Sequence, residues 1–399
     1  MTDWGARRNR IAVANFPVLY YLAAMNRFGP WAALVVIAAS CGDPPDKPSP
    51  NPPPSPKPDV GVSRQAAFVP DNPDHITLEH AIRAAINKPE GDLTQGDLDR
   101  VTGLTLDGKN LTDLGPCRHL RAMTSLNLSN NRIADLNPLA GCTALSSLYL
   151  ASNRIESLQP LAGLQQLRLL WLNDNRISDL APLASMGNLR KLYLQGNRVA
   201  DLQPLVKLSK LSYLDIGRNG LDSLAPVAGL PQLRQLKADS NTVTDLQPLI
   251  GLRQLDTLNL NGNRLVDLAP LAGLNKLRVL KLDNNQLNDL SALSGLKGLN
   301  HLSLWSNEIN DASKLAGLTG LRFLDLSGNR LESLKPLAGL TQLVSLHLHS
   351  NRAIDPAPLA ALKELRVVSL THNPISPPAI AALRKVLPDS KVKFEPPEN

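Results

Sequence analysis

Three side chains with the chemistry of a hydrolytic site recur at one spacing: Ser303, Asp325 and His347 lie 22 residues apart. In a catalytic triad the histidine lies between the nucleophile and the carboxylate, because it takes the nucleophile's proton while the carboxylate orients the ring. Here Asp325 lies in the middle, so the order argues against a triad. His347, His349 and Asp325 have the ligand types of a zinc site, but two histidines and one carboxylate are weak evidence. The sequence also lacks a phosphate-binding loop and a dinucleotide motif, so we predict no catalysis, metal or cofactor.

Cys41 is the cysteine whose surroundings indicate a modification. It follows the apolar run WAALVVIAAS at residues 31–40, which is too short to span a membrane and suits the apolar region of a signal peptide. The segment IAASC, which ends at Cys41, resembles the lipobox of bacterial lipoproteins, although that family prefers a larger aliphatic residue at Ala38. The resemblance implies that Cys41 is lipidated and becomes the first mature residue. The alternative is a cytosolic protein with a disordered apolar tail.

This resemblance predicts two N-terminal segments. Residues 1–40 would be a signal peptide, and translation from Met25 would give it a short basic start at Arg27. Residues 41–62 would hold the lipidated cysteine and a proline-rich linker, which behaves as an extended tether. We therefore expect an exported protein of the bacterial cell envelope that is attached to a membrane by lipid.

From residue 101 onward the sequence repeats every 22 residues without insertion or deletion. Each unit reads L-x-L-x-x-N-x-[IVL]-x-[DS]-L-x-P-L-x-x-L, and thirteen units follow one another, with Lys109 in the asparagine position of the first. This pattern is a leucine-rich repeat, whose stacked units bury apolar faces that one unit cannot bury alone. We predict an α/β repeat solenoid: a horseshoe or arc with a parallel β-sheet on its concave face, short 3-10 or helical segments on its convex face, and a helical N-terminal cap. The asparagines are Asn131, Asn153, Asn175, Asn197, Asn219, Asn241, Asn263, Asn285, Asn307, Asn329, Asn351 and Asn373.

Two polar columns of the repeat have structural explanations. The asparagine replaces a leucine at a turn, where its amide can satisfy backbone groups of adjacent repeats. Four residues later comes an aspartate or a serine, which favours capping of a short helical segment over a calcium site, because serine would not bind the metal. These residues are Asp113, Asp135, Ser157, Asp179, Asp201, Ser223, Asp245, Asp267, Asp289, Asp311, Ser333 and Asp355.

Cys117 and Cys142 replace core leucines in adjacent repeats. Buried thiols are one interpretation of the pair. A disulfide is the other, since an exported protein could form one if the geometry allows it.

Segments on either side of the repeats (101–377) have the pattern of solenoid caps. In the N-terminal cap, residues 63–100, we predict a helix over 77–87 with Leu78, Ile82, Ala85 and Ile86 on one face, and a second helix that starts with a capping box at 94–97. In the C-terminal cap, residues 378–399, we predict a helix over 378–387 and a last strand over 392–394. Such covers protect the exposed ends of the core.

The cap sequence at residues 68–104, followed by N-x-I-x-D-L-x-P-L units, resembles the internalin-like leucine-rich-repeat proteins of bacteria. The resemblance implies an extracytoplasmic curved solenoid that binds other macromolecules through its concave sheet. This chain departs from the internalin pattern because it shows no C-terminal sorting signal for the cell wall, and the lipobox would replace that signal. The family's role in host invasion is therefore not carried over.

Aromatic residues concentrate at the strand positions that face outward. Tyr149, Trp171 and Tyr193 share one column on three successive strands, and Tyr213 lies beside them on the next. Because neighbouring strands are ~4.8 Å apart, we predict a continuous aromatic surface. Aromatics also suit strand surfaces in general, but Trp and Tyr are the residues that most often dominate protein interfaces. The other two aromatics at outward positions, Trp305 and Phe323, are included in the predicted binding surface.

Arginines directly follow the asparagine in four successive repeats, at Arg132, Arg154, Arg176 and Arg198. The last three lie in the repeats of the aromatic column, so they could contact an anionic partner such as a polysaccharide or an acidic protein. The alternative is a solvated column of charge that Glu156 and Asp174 screen.

We predict from these features a non-enzymatic, extracytoplasmic binding protein. It would act as a monomer and recognise a protein or a glycan through its concave face. Nucleic acid is not an expected partner, because the net charge of +7 is modest for 399 residues. The alternative is an intracellular scaffold, similar to the regulatory subunits of protein phosphatase 1 that are built from 22-residue repeats.

Overall fold

The computed structural model of the protein describes residues 67–395. The predicted signal peptide, Cys41 and the linker lie outside these residues. Between residues 67 and 395, no helix combines the length and the apolar character that are needed to cross a membrane.

The fold is one parallel β-sheet whose strands are arranged in chain order from β1 to β14, with an open edge at each end. This architecture confirms the predicted solenoid. The strands are β1 Gly103–Thr105, β2 Ser125–Asn127, β3 Ser147–Tyr149, β4 Leu169–Trp171, β5 Lys191–Tyr193, β6 Tyr213–Asp215, β7 Gln235–Lys237, β8 Thr257–Asn259, β9 Val279–Lys281, β10 His301–Ser303, β11 Phe323–Asp325, β12 Ser345–His347, β13 Val367–Ser369 and β14 Lys391–Lys393.

Short 3-10 helices form the opposite layer, one between each pair of successive strands from β1 to β13. They are Gly115–His119, Asn137–Leu139, Gln159–Leu161, Ala181–Leu183, Gln203–Leu205, Ala225–Gly229, Gln247–Leu249, Ala269–Leu271, Ser291–Leu293, Ser313–Leu315, Lys335–Leu337 and Ala357–Ala361. A 3-10 helix with proline near its start suits this layer, because proline's fixed φ fits the first turn and its missing N–H is not needed there.

Leucines of the strands face the interior, as their alternation predicts. Leu148 of β3 pairs with Leu170 of β4, and both are fully buried. Because each strand pairs with the next without a shift, every position of the repeat forms a straight row across the sheet. The residues on either side of these leucines therefore form the outer, concave face.

Buried asparagines connect each repeat to the one before it. The Asn153 Oδ1 accepts a hydrogen bond from the backbone N–H of Ile133 at 3.0 Å, and its Nδ2 donates to the carbonyls of Leu128 at 2.9 Å and Leu150 at 3.1 Å. Asn175 and Asn197 make the equivalent bonds one repeat further along. The amide thus pairs backbone groups that would otherwise be buried without partners.

The aspartate and serine column holds the backbone, but not as the N-cap that the sequence predicts. Asp135 Oδ1 accepts from the N–H of Asn137 at 2.9 Å, two residues on, which is an Asx turn. The helix begins after Leu136, whose side chain makes no capping bond. Serine does the same at a longer distance, since Ser157 Oγ accepts from Gln159 N–H at 3.3 Å. The hydrogen-bonding role is present, one residue earlier in the turn than expected.

Helix α1, Pro73–Ile86, covers the first repeat and is longer than the sequence analysis proposes. Its start was missed, although Asn72 is an N-cap followed by proline, a strong start signal. Leu78, Ile82 and Ile86 are buried as predicted, whereas Ala85 is exposed. Helix α2, Gln95–Leu98, begins with a capping box between Thr94 and Asp97, as expected.

Polar contacts attach α1 to the first repeat. Asp74 Oδ2 accepts from the N–H of Thr112 and from the N–H of Asp113, both at 2.8 Å. His75 Nε2 lies 2.9 Å from Asp113 Oδ2. Burial alone would raise the pKa of Asp74, but the hydrogen bonds from Thr112 and Asp113 outweigh it and lower the pKa. The cap is therefore fixed in position by charged hydrogen bonds as well as by its apolar face.

At the other end, helix α3, Pro377–Val386, and strand β14 cover the last repeat. Ser376 is the N-cap, and its side chain accepts from the N–H of Ala379. Ile380 and Leu383 are buried against the solenoid core. Both elements lie one residue earlier than the sequence analysis proposes.

Candidate partner-binding surface

Four of the predicted aromatics form one contiguous group, the aromatic strip: Tyr149, Trp171, Tyr193 and Tyr213. Tyr149 pairs with Trp171, and Trp171 with Tyr193, on neighbouring strands. Their ring centroids lie 6.0 Å and 4.6 Å apart, and the Tyr213 centroid follows at 4.4 Å from that of Tyr193. Strand pairing places the first three rings in one row, whereas Tyr213 lies diagonally from Tyr193, which pairs with Asp215.

The ring planes determine what the strip presents to a partner. Trp171 and Tyr193 are stacked, with 16° between their planes, and the Tyr193–Tyr213 pair is tilted by 32°. Faces of stacked rings are covered by the adjacent ring, so the accessible part is the ring edge. All four side chains are half-buried.

Lys237 and Asp215 form the charged end of the strip. Lys237 Nζ lies 5.6 Å from the centroid of the Tyr213 ring and 3.7 Å from Asp215 Oδ2. Burial raises the pKa of Tyr213 and of Asp215. Burial would lower the pKa of Lys237, but the hydrogen bond with Tyr213 and the attraction of Asp215 outweigh it, so the pKa is raised. Lys237 was not predicted as a site residue, although it lies one strand beyond Tyr213 in the column of Trp171.

Phe323 belongs to a second group of rings, the histidine group, with His301 and His347. The His301 and Phe323 rings stack with centroids 4.1 Å apart and 4° between planes, and the His347 centroid is 5.5 Å from that of Phe323. Burial lowers the pKa of His301 to about 4, and it also lowers the pKa of His347. These imidazoles are neutral near pH 7 and serve as flat aromatic surfaces.

Trp305 lies apart from both groups. It is 40% exposed, and within residues 67–395 its ring contacts no other aromatic ring. Its backbone N–H donates to Asp283 Oδ1 at 2.9 Å, which connects this residue to the preceding repeat.

The residues considered for catalysis or zinc have structural partners instead. Ser303 Oγ is buried and hydrogen-bonds to Asp283 Oδ1 at 2.5 Å. His347 Nε2 lies 2.8 Å from Ser345 Oγ. Among the residues that the structure describes, no three His, Cys, Asp or Glu side chains are grouped so that they could hold a metal ion.

The arginine column is solvent-exposed along the edge where the strands end. Arg176 pairs with Glu156 at 3.4 Å, so part of the column is screened. In the described part of the chain, Lys237 is the cation that lies over a ring of the strip, and Arg154, Arg176 and Arg198 do not. Cys117 and Cys142 are free and buried, and Cys142 Sγ donates to the Cys117 carbonyl at 3.4 Å.

Comparisons with known proteins agree with this architecture. Family models of leucine-rich repeats match residues 143–185, 187–229 and 319–360, and a second such model matches residues 253–309 and 276–331. The crystal structure of an internalin, InlF, from Listeria monocytogenes is 29% identical, with a TM-score of 0.79, over 85% of this chain and 99% of that one. Internalin C2 of the same organism is 32% identical over 55% of this chain and 99% of that one, with a TM-score of 0.50.

The chain belongs to the internalin-like leucine-rich-repeat proteins.

The fold is shared more widely. The ectodomain of the plant receptor kinase GASSHO1/SCHENGEN3 from Arabidopsis thaliana, solved in complex with CASPARIAN STRIP INTEGRITY FACTOR 2, is 21% identical over 77% of this internalin-like chain and 43% of its own, with a TM-score of 0.62. A comparison with curated protein sequences found no significant match.

Proposed function

We propose that this internalin-like protein is exported, is attached to a membrane through lipid on Cys41, and binds a protein partner through the aromatic strip. The observation that carries the binding site is the contact between four Tyr and Trp rings on the outer face of β3 to β6. Tyr and Trp supply large contact areas at low entropic cost, and they dominate the energetics of many protein interfaces.

Ring orientation favours a protein over a glycan. Sugars bind aromatic residues by placing their C–H groups on the electron-rich ring faces, whereas the ring edges are positive and suit carbonyl oxygens and apolar side chains. Trp171 and Tyr193 cover one another's faces, since their planes differ by only 16°. The flanking Lys237, whose ammonium pairs with the buried Asp215, adds an accessible positive charge that can orient a polypeptide.

The relatives are consistent with this proposal. The plant receptor ectodomain shares the fold and was solved in complex with CASPARIAN STRIP INTEGRITY FACTOR 2. The solenoid is therefore a scaffold that can present an extended sheet face to a partner. The proposal that a partner binds at the aromatic strip, and not elsewhere on that face, is based on the four aromatic residues of this chain.

The binding site is tested by affinity capture from the cell envelope of the producing cells. We expect the double variant Trp171→Ala/Tyr193→Ala to lose a partner that the unmodified protein captures. Trp305→Ala is the matched control, because it removes a more exposed ring from the same sheet face without disturbing the strip. Equal capture by the double variant and the unmodified protein would contradict the proposed site.

Export and lipidation are tested separately. Globomycin should block maturation, and the intact mass of the mature protein should correspond to an acylated N-terminal cysteine. Cys41→Ala should abolish both effects. An unprocessed soluble chain that starts at Met1 or Met25 would favour the intracellular scaffold.

A further inference from the structure

A row of arginines lies along the edge of the sheet where the strands begin. Arginine directly precedes six of the strands from β4 to β13, at Arg168, Arg190, Arg234, Arg278, Arg322 and Arg366. Backbone hydrogen bonds connect this position from one repeat to the next, for example Arg190 N–H to the Arg168 carbonyl at 2.8 Å. The row is therefore continuous on one side of the solenoid, opposite the edge that carries the other arginine column.

Further cations lie beside this row and make it a band. We define the basic edge as the residues that lie one, three and four positions before the first residue of each strand from β2 to β13. These positions hold twelve Lys and Arg and only two acids, Asp256 and Glu364. All twelve cations are exposed. The net charge of +10 exceeds the +7 of the whole chain, so the rest of the protein is net acidic. The total charge is modest because the strongly positive basic edge is partly offset by net negative charge elsewhere in the chain.

The cations of the basic edge are mostly not neutralised. Within residues 67–395, only Arg366 has an acidic partner, Asp389 Oδ2 at 4.0 Å. Lysines there bond to neutral groups, such as Lys276 Nζ to Gln254 Oε1 at 2.6 Å. The band contains no aromatic residue, so it offers no platform for stacking nucleic-acid bases.

We propose that the basic edge binds the surface of a membrane that contains anionic lipids. The cations lie in two parallel lines, so the basic edge is a band and not a single line. A band can contact more headgroups of a membrane surface than phosphates or sulfates of one linear polymer. Eleven inter-strand steps of ~4.8 Å place these cations along ~50 Å, so many headgroups are reached at once. Each Lys or Arg close to an anionic membrane raises the affinity about fivefold.

This inference does not depend on the aromatic strip or on lipidation of Cys41. If Cys41 is lipidated, the linker holds the basic edge near the membrane and raises its effective concentration there. The solenoid would then lie on its side, with the aromatic strip facing laterally along the membrane.

The experiment uses the full chain with Cys41→Ala, so that acylation contributes nothing. Its binding is measured by co-sedimentation with vesicles of phosphatidylcholine alone and with about 30% phosphatidylglycerol added. The test variant is Arg234→Glu/Arg278→Glu/Arg322→Glu. The matched control is Arg132→Glu/Arg264→Glu/Arg352→Glu, three exposed arginines of the opposite edge for which the described part of the structure shows no ion pair. Circular dichroism and thermal unfolding show whether each variant is folded.

We expect the parent chain to prefer the anionic vesicles, the test variant to bind them at least about tenfold more weakly, and the control to change by less than about threefold. Binding should vanish near 1 M salt, where the Debye length is ~3 Å. Equal weakening of the two variants, or no preference for the anionic vesicles, would overturn the proposal. Retention on immobilised heparin without vesicle binding would also overturn it, and would indicate a soluble polyanion instead.

Discussion

The rings of Trp171 and Tyr193 lie face to face, with centroids 4.6 Å apart and 16° between their planes. Trp171 Nε1 is buried and has no hydrogen-bond partner among the described residues. The accessible part of this indole is therefore hydrocarbon. The pair presents the apolar edge of the indole beside a tyrosine ring, which is the arrangement expected at the centre of a protein interface.

The stacked pair should contribute to stability as well as to binding. We expect Trp171→Ala and Tyr193→Ala each to lower the free energy of unfolding modestly, with a coupling of about 0.5–1.5 kcal/mol between them. The coupling is measured by urea unfolding of the two single variants and the double variant. Additive effects would show that the rings do not interact in solution.

We expect the buried asparagines to contribute more to the free energy of unfolding than amides at the surface do. In Asn175→Ala, the N–H of Ile155 and the carbonyls of Leu150 and Leu172 would lose their partner, and each unsatisfied buried group costs ~1–3 kcal/mol. We expect a loss of about 3 kcal/mol in the free energy of unfolding. Asn188→Ala is the control, because this half-buried amide makes a single backbone bond, to the Gln165 carbonyl, and otherwise accepts only from the exposed Lys210. Similar losses for the two variants would contradict the role of the asparagine ladder.

Cys117 and Cys142 should remain thiols that react only after unfolding. Burial raises the pKa of both, that of Cys142 to about 11, so little thiolate forms at neutral pH. Alkylation followed by intact-mass measurement should add no group to these cysteines in the folded protein and one to each in denaturant. A mass two hydrogens lower, without alkylation in denaturant, would demonstrate a disulfide.

Acid should weaken the histidine group. The pKa of His301 is about 4 in the folded protein, below its ordinary value of 6.5, so the unfolded chain binds more protons between these values. Stability from this group is complete above pH 6.5 and is lost as the pH falls toward 4. We expect His301→Phe, which keeps the ring stack on Phe323, to reduce the slope of unfolding free energy against pH in that range. An unchanged slope would show that His301 does not titrate as the structure indicates.

Sequence reasoning predicted the fold well because the repeat pattern determines it. A period of 22 residues without interruption places Leu126 and Leu148 in the same row, and that row specifies the parallel sheet. The start of α1 was missed because the apolar pattern begins after the residues that cap it, Asn72 and Pro73.

The position of the aromatic strip could be predicted from the sequence, but the orientation of its rings could not. The shared column of Tyr149, Trp171 and Tyr193 predicted contact, whereas ring planes depend on rotamers that no spacing reveals. His301 was overlooked because a single histidine beside Phe323 gives no signal until the strands are paired. The basic edge was not predicted because its row of arginines is interrupted. Arginine precedes six of the ten strands from β4 to β13, and the other four are preceded by Ser212, Asp256, Asn300 and Val344.

The most direct test of the central claim is photo-crosslinking from the strip in intact producing cells. A photoreactive phenylalanine analogue would replace Tyr193, and in a control it would replace Ala292 in the 3-10 layer on the opposite side. The account predicts a crosslinked protein of defined mass from position 193 that is absent from position 292. The same products from both positions, or a defined product from position 292 alone, would contradict the assignment of the aromatic strip as the partner-binding surface.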